Sequence, residues 1–516
     1  MKKTPIVATG HPLRFAMVPL LCAVTTSALI APSIVHAADI RTSGYLRQHL
    51  ATNLSDVPET QEDDKYDLAM ARTTLLLQVD ADLGWAYGVA IGRLTREYKT
   101  NYLDRLEDLT AVTGSMNTPP LPRSDFENYY SDEELREAYL DIPMGSQFSA
   151  RIGKQQVVWG ETDFFQAMDV IHGYDQTWRS FLEPENEEWR KPLWLINLEY
   201  FPVNSDNSLQ LVLRPGIDDD DAMGNSLDTF GGRWSLNGSR GFNTSGLIPV
   251  NYDHSKADAD DPSYGIRWSG TVSGVSYTLN YYHTLSQDPV VNFADLSGGF
   301  NPAFQAYGEA PKNGFAEFIY PEIDIFGATL NSYLENINAT FRAELAYIPN
   351  KPYNFGFANT PSAGGNGIIK KDTLRSMIGL DIPLRTQSWL GTSAPTSISL
   401  QLFDTWIIDH KDSEEVVDFG SPKKEHSSIL TSLIMMPFRN DSVNLSFAAI
   451  YDLAYGGTIL VPGVSLSFGD HWRLMFEADF FNGGRYKSDP TDPKGQSLIG
   501  AFHNSDQAMA RITYQF

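Results

Sequence analysis

The chain has 516 residues, with 39 basic and 64 acidic side chains and a formal charge of −25; such acidity disfavours nucleic acid or an anionic surface as a partner. Its single cysteine, Cys22, falls inside an amino-terminal leader, so the mature protein is expected to lack disulfides, thiolate metal sites and cysteine nucleophiles together. After residue 37 no run approaches the ~20 apolar residues that a membrane helix requires.

Taken in order, the chain starts with Lys2, Lys3 and Arg14 as a positive head. An apolar stretch over 15–30 follows, then Val35-His36-Ala37 with small residues at the cleavage positions. This predicts a signal peptide over 1–37, export, and a mature chain over 38–516. Leu21 stands before Cys22 where a lipoprotein would need a small residue, so that reading fails.

The mature part alternates apolar and polar residues in segments of about ten, the pattern of a transmembrane β-strand. Strands are predicted over 40–50, 70–81, 85–98, 134–142, 147–154, 192–201, 207–215, 262–272, 275–286, 316–330, 336–348, 373–385, 396–408, 427–436, 443–453, 459–468, 472–481 and 506–516. The expected fold is an all-β, antiparallel up-and-down transmembrane barrel of about 18 strands, with 16 the alternative count. Short inner turns fall at 82–84, 143–146, 203–206, 273–274, 437–441 and 469–471, rich in Gly, Pro, Asn and Asp. Long outer loops fall at 99–133, 155–191, 216–261, 287–315, 349–372, 409–426 and 482–505. The last strand shows the pattern most clearly: Ala508, Ala510, Ile512, Tyr514 and Phe516 on one face, Gln507, Met509, Arg511, Thr513 and Gln515 on the other. Its terminal aromatics, Tyr514 and Phe516, are the expected assembly signal for the barrel-assembly machinery. Outer-membrane lipid and lipopolysaccharide are the expected surroundings, in a Gram-negative bacterium.

On this alternation the lumen collects Arg72, Arg151, Arg214, Arg267, Arg342, Arg375, Arg473 and Arg511, with Asp80, Glu199, Glu344, Asp381, Glu477 and Asp479 among them. Guanidinium groups lining a pore favour anionic or amphipathic solutes, because Arg stays charged and presents a fixed donor fork. The competing reading is cross-strand pairing that braces the wall, and Arg342 and Glu344, on one strand, look like bracing.

The 155–191 loop, about 37 residues long, exceeds what a connection needs and is the candidate constriction. Folded inward, it would lay Trp159, Phe164 and Phe165 against the wall and place Gln155, Glu161 and Asp163 over the pore. In the next outer loop Asp218, Asp219, Asp220 and Asp221 form a run of hard oxygen ligands that would suit calcium or magnesium; a solvated acidic run is the competing reading, and no other cofactor is expected. Sequence motifs for serine hydrolases, zinc peptidases and phosphate loops are absent. His283, His426 and His503 lie near outer strand ends without a partner in the sequence, so an enzyme is not expected.

Four segments carry a resemblance: E-A-Y-L-D-I at 137–142, R-I-G-K-Q-Q-V-V-W-G-E-T at 151–162, D-I-F-G-A-T-L-N at 324–331 and R-A-E-L-A-Y at 342–347. In these the chain resembles a family of proteobacterial outer-membrane barrels known only as a domain of unknown function. The resemblance implies a periplasmic lipid-binding-like partner, an association with efflux-type transporters, and traffic in hydrophobic or amphipathic molecules. Two functions are therefore expected to compete. One is a channel or transporter for small organic solutes gated by the 155–191 loop. The other is a non-conducting barrel serving as an envelope docking or assembly partner.

Overall fold

A computed structural model describes residues 39–57, 59–111, 123–179, 182–183, 185–235, 239–294, 309–356, 367–418, 421–484 and 497–516. The leader expected over 1–37 and parts of the outer loops lie outside them. From Asp39 the chain forms a single closed wall. Its strands are β1 (Asp39–Asn53), β2 (Leu68–Asp82), β3 (Tyr87–Glu97), β4 (Asp132–Met144), β5 (Phe148–Gln155) and β6 (Leu193–Tyr200). They continue with β7 (Ser208–Arg214), β8 (Ser263–Val272), β9 (Val275–Leu285), β10 (Glu322–Leu334), β11 (Ala339–Phe355) and β12 (Ile368–Leu384). The last six are β13 (Thr396–Ile407), β14 (His426–Phe438), β15 (Val443–Asp452), β16 (Thr458–Phe468), β17 (Trp472–Asn482) and β18 (Gln507–Gln515). Each strand pairs antiparallel with its sequence neighbours, and β1 also pairs with β18, Tyr45 opposite Gln515 and Asn53 opposite Gln507. The barrel has 18 strands.

Alternation sorts the two faces. Leu46, Leu75, Leu94, Ile152, Leu211, Leu345, Leu400, Phe476 and Ile512 stand exposed on the outside, while Arg47, Arg72, Glu344, Gln401 and Glu477 are buried inside. Trp85, Tyr87, Phe148, Phe201, Tyr333, Trp389, Phe468, Trp472 and Phe516 are exposed beside the short turns. They form an aromatic girdle of the kind that sits at a membrane interface. The turn at 273–274 shows how local chemistry fixes the hairpins: Ser273 and Gly274 have φ of 53° and 79°, the two positive values that a type I′ turn requires.

One predicted strand divides. Ala316–Ile319 pairs with Val290–Phe293 in a loop hairpin, and the barrel strand starts at Glu322, beyond Pro321. Proline lacks the N–H and restricts the residue before it, so the ladder restarts after it. At the opposite extreme, β11 and β12 run beyond the predicted ends, and Asn354 and Phe355 of β11 pair with Val417 and Val416 of the outer loop after β13.

Closure is sealed where the ends meet. The Gly44 N–H donates to the Phe516 carbonyl at 3.1 Å and the Phe516 N–H to the Gly44 carbonyl at 3.0 Å. A side chain at 44 would overlap the Leu76 carbonyl oxygen and crowd the Phe516 ring. Gly44→Val is expected to reduce the compact, heat-sensitive band of the folded barrel on unheated SDS gels; a wild-type band at wild-type yield would show that the seam tolerates a β-branched side chain.

Candidate functional site

A lumen this wide cannot be filled by wall side chains alone, and the segment between β5 and β6 fills it. Its first limb sweeps along β7 to β13. The Trp159 indole N–H donates to Gln210 Oε1 at 2.8 Å, and the ring meets Tyr282 edge-on at 5.5 Å. Glu344 of β11 then caps the turn: its carboxylate accepts the N–H of Glu161, and that of Met168 at 2.9 Å. Arg342, two residues earlier on the same face, donates to the Glu161 carbonyl and reaches Asp163 at 3.3 Å and Asp381 at 2.7 Å. Asp163 also accepts from Ser399 at 2.6 Å and Gln401 at 3.0 Å on β13. Phe165 meets Phe403 edge-on at 5.7 Å.

The return limb docks on the other arc, β17 through β1 to β4. Arg179 is fully buried and reaches Glu477, Asp479 at 3.2 Å and Glu183 at 3.5 Å. Burial works against its charge, but these three carboxylates outweigh it and raise its pKa above the ordinary value. Arg511 of β18 pairs with Glu183 at 3.0 Å and Glu185 at 3.4 Å. Arg47 of β1 pairs with Glu188 at 3.1 Å, and the Tyr45 hydroxyl donates to the same carboxylate at 2.8 Å. Arg93 of β3 donates to the Glu188 carbonyl at 2.7 Å, and Arg136 of β4 to the Arg190 carbonyl at 2.9 Å. Trp178 lies beneath Arg72 at 4.8 Å and against His49 at 5.1 Å. Tyr174, Leu182 and Trp189 join Ala448, Ile450, Ile459, Val461 and Phe481 of β15–β17 in an apolar cluster with Trp234 and Phe502.

The plug is also fastened to itself and to the outer loops. His172 accepts the Val157 N–H on Nε2 at 2.8 Å, and its Nδ1 bonds the Lys191 carbonyl at 2.9 Å. One imidazole thus joins the two ends of the segment. Accepting on Nε2 places the proton on Nδ1. Lys191 donates to the Asp221 carbonyl at 2.8 Å and to Ser226 at 2.9 Å; burial pushes its pKa down to about 8. From the loop after β7, Arg233 forks onto Glu97 at 2.9 Å, and Arg72 takes the same carboxylate at 3.0 Å.

The residues singled out in the sequence therefore divide. Arg72, Arg342, Glu344, Glu477 and Arg511 hold the plug or the loop above it. Arg151 forks onto Asp141 at 2.6 and 2.9 Å, and Arg375 pairs with Asp288 at 3.4 Å. Arg473 donates to the Gly469 and Trp472 carbonyls at the turn. Trp159, Glu161, Asp163, Phe164 and Phe165 belong to the plug. Gln155 does not stand over the pore: it ends β5, and its amide is clamped on the carbonyls of Arg151, Gly153 and Leu195 at 3.0 to 3.2 Å. Arg342 braces the wall by its pair with Asp381 of β12, as expected, but it and Glu344 also reach across to the plug. The aspartate run splits, since Asp218 pairs with buried Arg214 at 2.8 Å and accepts the Trp194 N–H at 2.7 Å. Among the described residues no cluster of three or more His, Cys, Asp or Glu is placed to hold a metal. Tyr514 and Phe516 lie at the seam, Tyr514 packing on Trp472 at 5.0 Å. Arg47, Arg93 and Arg136 join the set that holds the plug, and the signal that marks them is their place on the inward face of each strand. Arg179, Arg190 and His172 carry no periodic signal, being loop residues.

Between the first turn of the plug and the wall of β4–β8 lies a polar cup of about 310 Å³, lined among others by Arg151, Gln156, Asn197, Glu199, Gln210 and Arg267. Except for Gln156 these belong to the strand halves nearer the short turns or, for Arg267, to the middle of its strand, so the cup faces that side of the plug.

A closed antiparallel barrel with an apolar exterior, an aromatic girdle and a charged interior is an outer-membrane β-barrel, and the outer membrane is where this protein resides. The chain belongs to the family described as "Protein of unknown function (DUF1302)", which matches residues 30–516. None of the curated proteins compared with it matches. Similar solved structures include OccAB1 of Acinetobacter baumannii, at 9% identity and a TM-score of 0.45, covering 94% of this chain and 97% of that one. OccAB3 of the same organism has 9% identity and a TM-score of 0.44, covering 93% and 99%. Pseudomonas aeruginosa OpdK with vanillate has 10% identity and a TM-score of 0.39, covering 93% and 98%. At such identities the functional reading rests on the residues of this chain.

The His172 clasp makes docking pH-dependent. Burial, reinforced by the Arg190 charge, pushes the imidazole down to about 3 from its ordinary 6.5. An undocked loop takes up the proton near 6.5, so docking is undiminished above that pH and weakens as pH falls from 6.5 toward 3. Hydrogen exchange of the Val157 amide, corrected for intrinsic rate, is expected to accelerate through that window. In His172→Gln, which has no proton to gain, the part of the pH dependence due to the clasp should vanish; an identical profile in the variant would assign the effect to other groups.

Proposed function

We propose that this protein is a gated outer-membrane channel for small organic solutes, closed at rest by the 156–192 plug. The observation that carries the reading is how the plug is held. It is a single loop, tied to nearly the whole circumference by carboxylate caps and ion pairs, and a barrel meant only as a wall has no need of a lumen that must then be filled. Fastenings of this kind exchange for water and solute without unfolding the barrel, because β1–β18 form their ladder independently of the plug.

The pairing of most interior charges narrows the solute. Arg72, Arg151, Arg214, Arg342, Arg375 and Arg511 are each neutralised by a carboxylate, leaving Arg267 and Arg473 as the lumen guanidiniums outside ion pairs among those considered. Preference for anions would therefore be modest and local. An enzyme gains no support from the grouping of Ser428, His426 and Asp404 on adjacent strands, where the aspartate takes both partners, at 2.6 and 2.8 Å. A nucleophile would need the histidine between them.

The same extensive pairing favours a second reading, a permanently plugged barrel that docks other envelope components, including a periplasmic lipid-binding-like partner. Conductance separates the two. In planar bilayers the wild-type protein is expected to be nearly silent with brief openings, and replacing residues 159–168 by a short Gly-Ser linker to raise conductance severalfold. Unchanged conductance in a correctly folded variant would reject the gate.

Loosening a single fastening gives a graded version of the test. Glu344→Ala leaves the Glu161 and Met168 N–H groups without their acceptor, a loss of about 2–3 kcal/mol in docking. The open probability should rise while the heat-modifiability of the barrel is retained; equal open probabilities in variant and wild type would show that this cap does not hold the gate.

A further inference from the structure

Glu199 and Arg267 are opposite charges facing one cup and held apart by a single strand. Glu199 on β6 faces Gln210 on β7, and Gln210 faces Arg267 on β8. Neighbouring strands lie roughly 4.8 Å apart, so the backbones under the two charges are separated by about 10 Å. Among the described residues no ion pair joins either one. Gln210 sits between them with both ends engaged, its Oε1 by Trp159 at 2.8 Å and its Nε2 donating to Glu199 at 3.3 Å. Arg267 donates to the Val158 carbonyl of the plug at 3.2 Å. The other carboxylates acting on Arg267, Glu161 and Glu344, are occupied: Glu161 accepts from Asn331 at 2.8 Å, and Glu344 caps the plug turn. Arg151 and Asp141, the remaining charged pair at the cup, satisfy each other.

The cup is thus neutral overall but strongly dipolar. A simple carboxylate on Arg267 would bring its charge toward Glu199, and a simple cation on Glu199 would meet Arg267. An uncharged polyol would leave both charges without a counterion. Only a solute carrying both signs satisfies both groups, and about 310 Å³ accommodates a molecule of that size with some water. Gln156 and Asn197 add neutral hydrogen-bonding groups around the charged pair.

We infer that the cup is a binding site for a small zwitterion of the amino-acid type, its carboxylate on Arg267 and its ammonium on Glu199. The inference rests on the channel reading for the solute's reason to be there, but binding does not require conduction. Trp159 and Val158 belong to the plug and touch Gln210 and Arg267, so an occupied cup acts directly on the first turn of the gate.

The test is calorimetric titration of the refolded mature protein in detergent micelles with three probes: L-glutamine, butanoate and butylammonium. Saturable binding is expected for glutamine alone. Arg267→Gln and Glu199→Gln should each weaken it by about tenfold or more, since each removes one charge-assisted contact; unheated gels verify that each variant is folded. Exchanging the charges, Arg267→Glu with Glu199→Arg, should restore binding, because a zwitterion can reverse. Butanoate binding as well as glutamine, with Glu199→Gln without effect, would overturn the inference in favour of a plain anion site. Saturable binding of none of the three would overturn it outright. Glutamine binding to a barrel that stays silent after plug trimming would sink the channel reading and leave the cup standing; conduction without glutamine binding would do the reverse.

Discussion

Lipid offers no hydrogen bonds, so a chain without membrane helices can cross it only as a sheet that closes on itself. That constraint governs the rest of the molecule. Closure at β1–β18 requires Gly44, whose missing side chain lets the Leu76 carbonyl and the Phe516 ring approach. It also sets the width. With 18 strands the lumen is too broad for side chains of the wall to fill, and the deficit is met by the loop between β5 and β6 folding inward. The inward arginines and carboxylates follow from the plug as much as from any solute, since a loop docked inside a polar lumen needs polar fastenings.

Such fastenings are a weak source of stability. Burying a charge costs several kcal/mol before its partner offsets it, and Arg179, Glu183 and Asp479 are all completely buried. What they supply is position. A guanidinium that must find Glu477, Asp479 and Glu183 together accepts one placement of the loop, whereas an apolar contact tolerates sliding. The backbone caps work in the same way: Glu344 receives two N–H groups seven residues apart in the chain, which fixes the turn between them.

The wall was legible in the sequence because its signal is periodic and repeated. The eighteen predicted segments correspond to the eighteen strands, and the faces of Gln507 to Phe516 are assigned correctly because a period of two leaves no ambiguity once one face is apolar. The segment predicted over 316–330 begins too early because Ala316–Ile319 also alternates, and the hairpin partner Val290–Phe293 shows that this part belongs to a loop. The plug could be singled out by its length and aromatics, but its docking could not. The pattern alone reads Arg342 and Glu344 as bracing of the wall, which holds for Arg342 with Asp381 but does not reveal their contacts to the plug. Their partners, Asp163, Glu161 and Met168, are nearly two hundred residues away in sequence. Adjacency to the loop points Gln155 toward the pore, whereas its amide finds three wall carbonyls that no pattern announces. His172 joins positions 157 and 191, a closure that exists only once the loop has folded back on itself.

The two limbs of the plug are not equally held. On the return limb the guanidinium of Arg179 and its carboxylates are 0 to 5% exposed, and an apolar cluster spanning β15–β17 packs against Tyr174, Leu182 and Trp189. On the first limb Arg342 is 12% exposed, Asp163 28% and Asp381 32%. Water already competes for those ion pairs. The apolar part of the first limb is as dry as the return limb, since Trp159 and Met168 are 0% exposed and pack with Val157, Val170 and Ile171 against Leu193, Leu195, Val212 and Tyr282. On the gated reading, motion therefore starts at the turn between them, where Asp163 and its partners are partly exposed, while the return limb, whose release would strand buried charges and expose Trp189, serves as the hinge. That turn follows directly on Val158 and Trp159, which touch the cup, so the part of the plug that is cheapest to move adjoins the part a bound solute would meet.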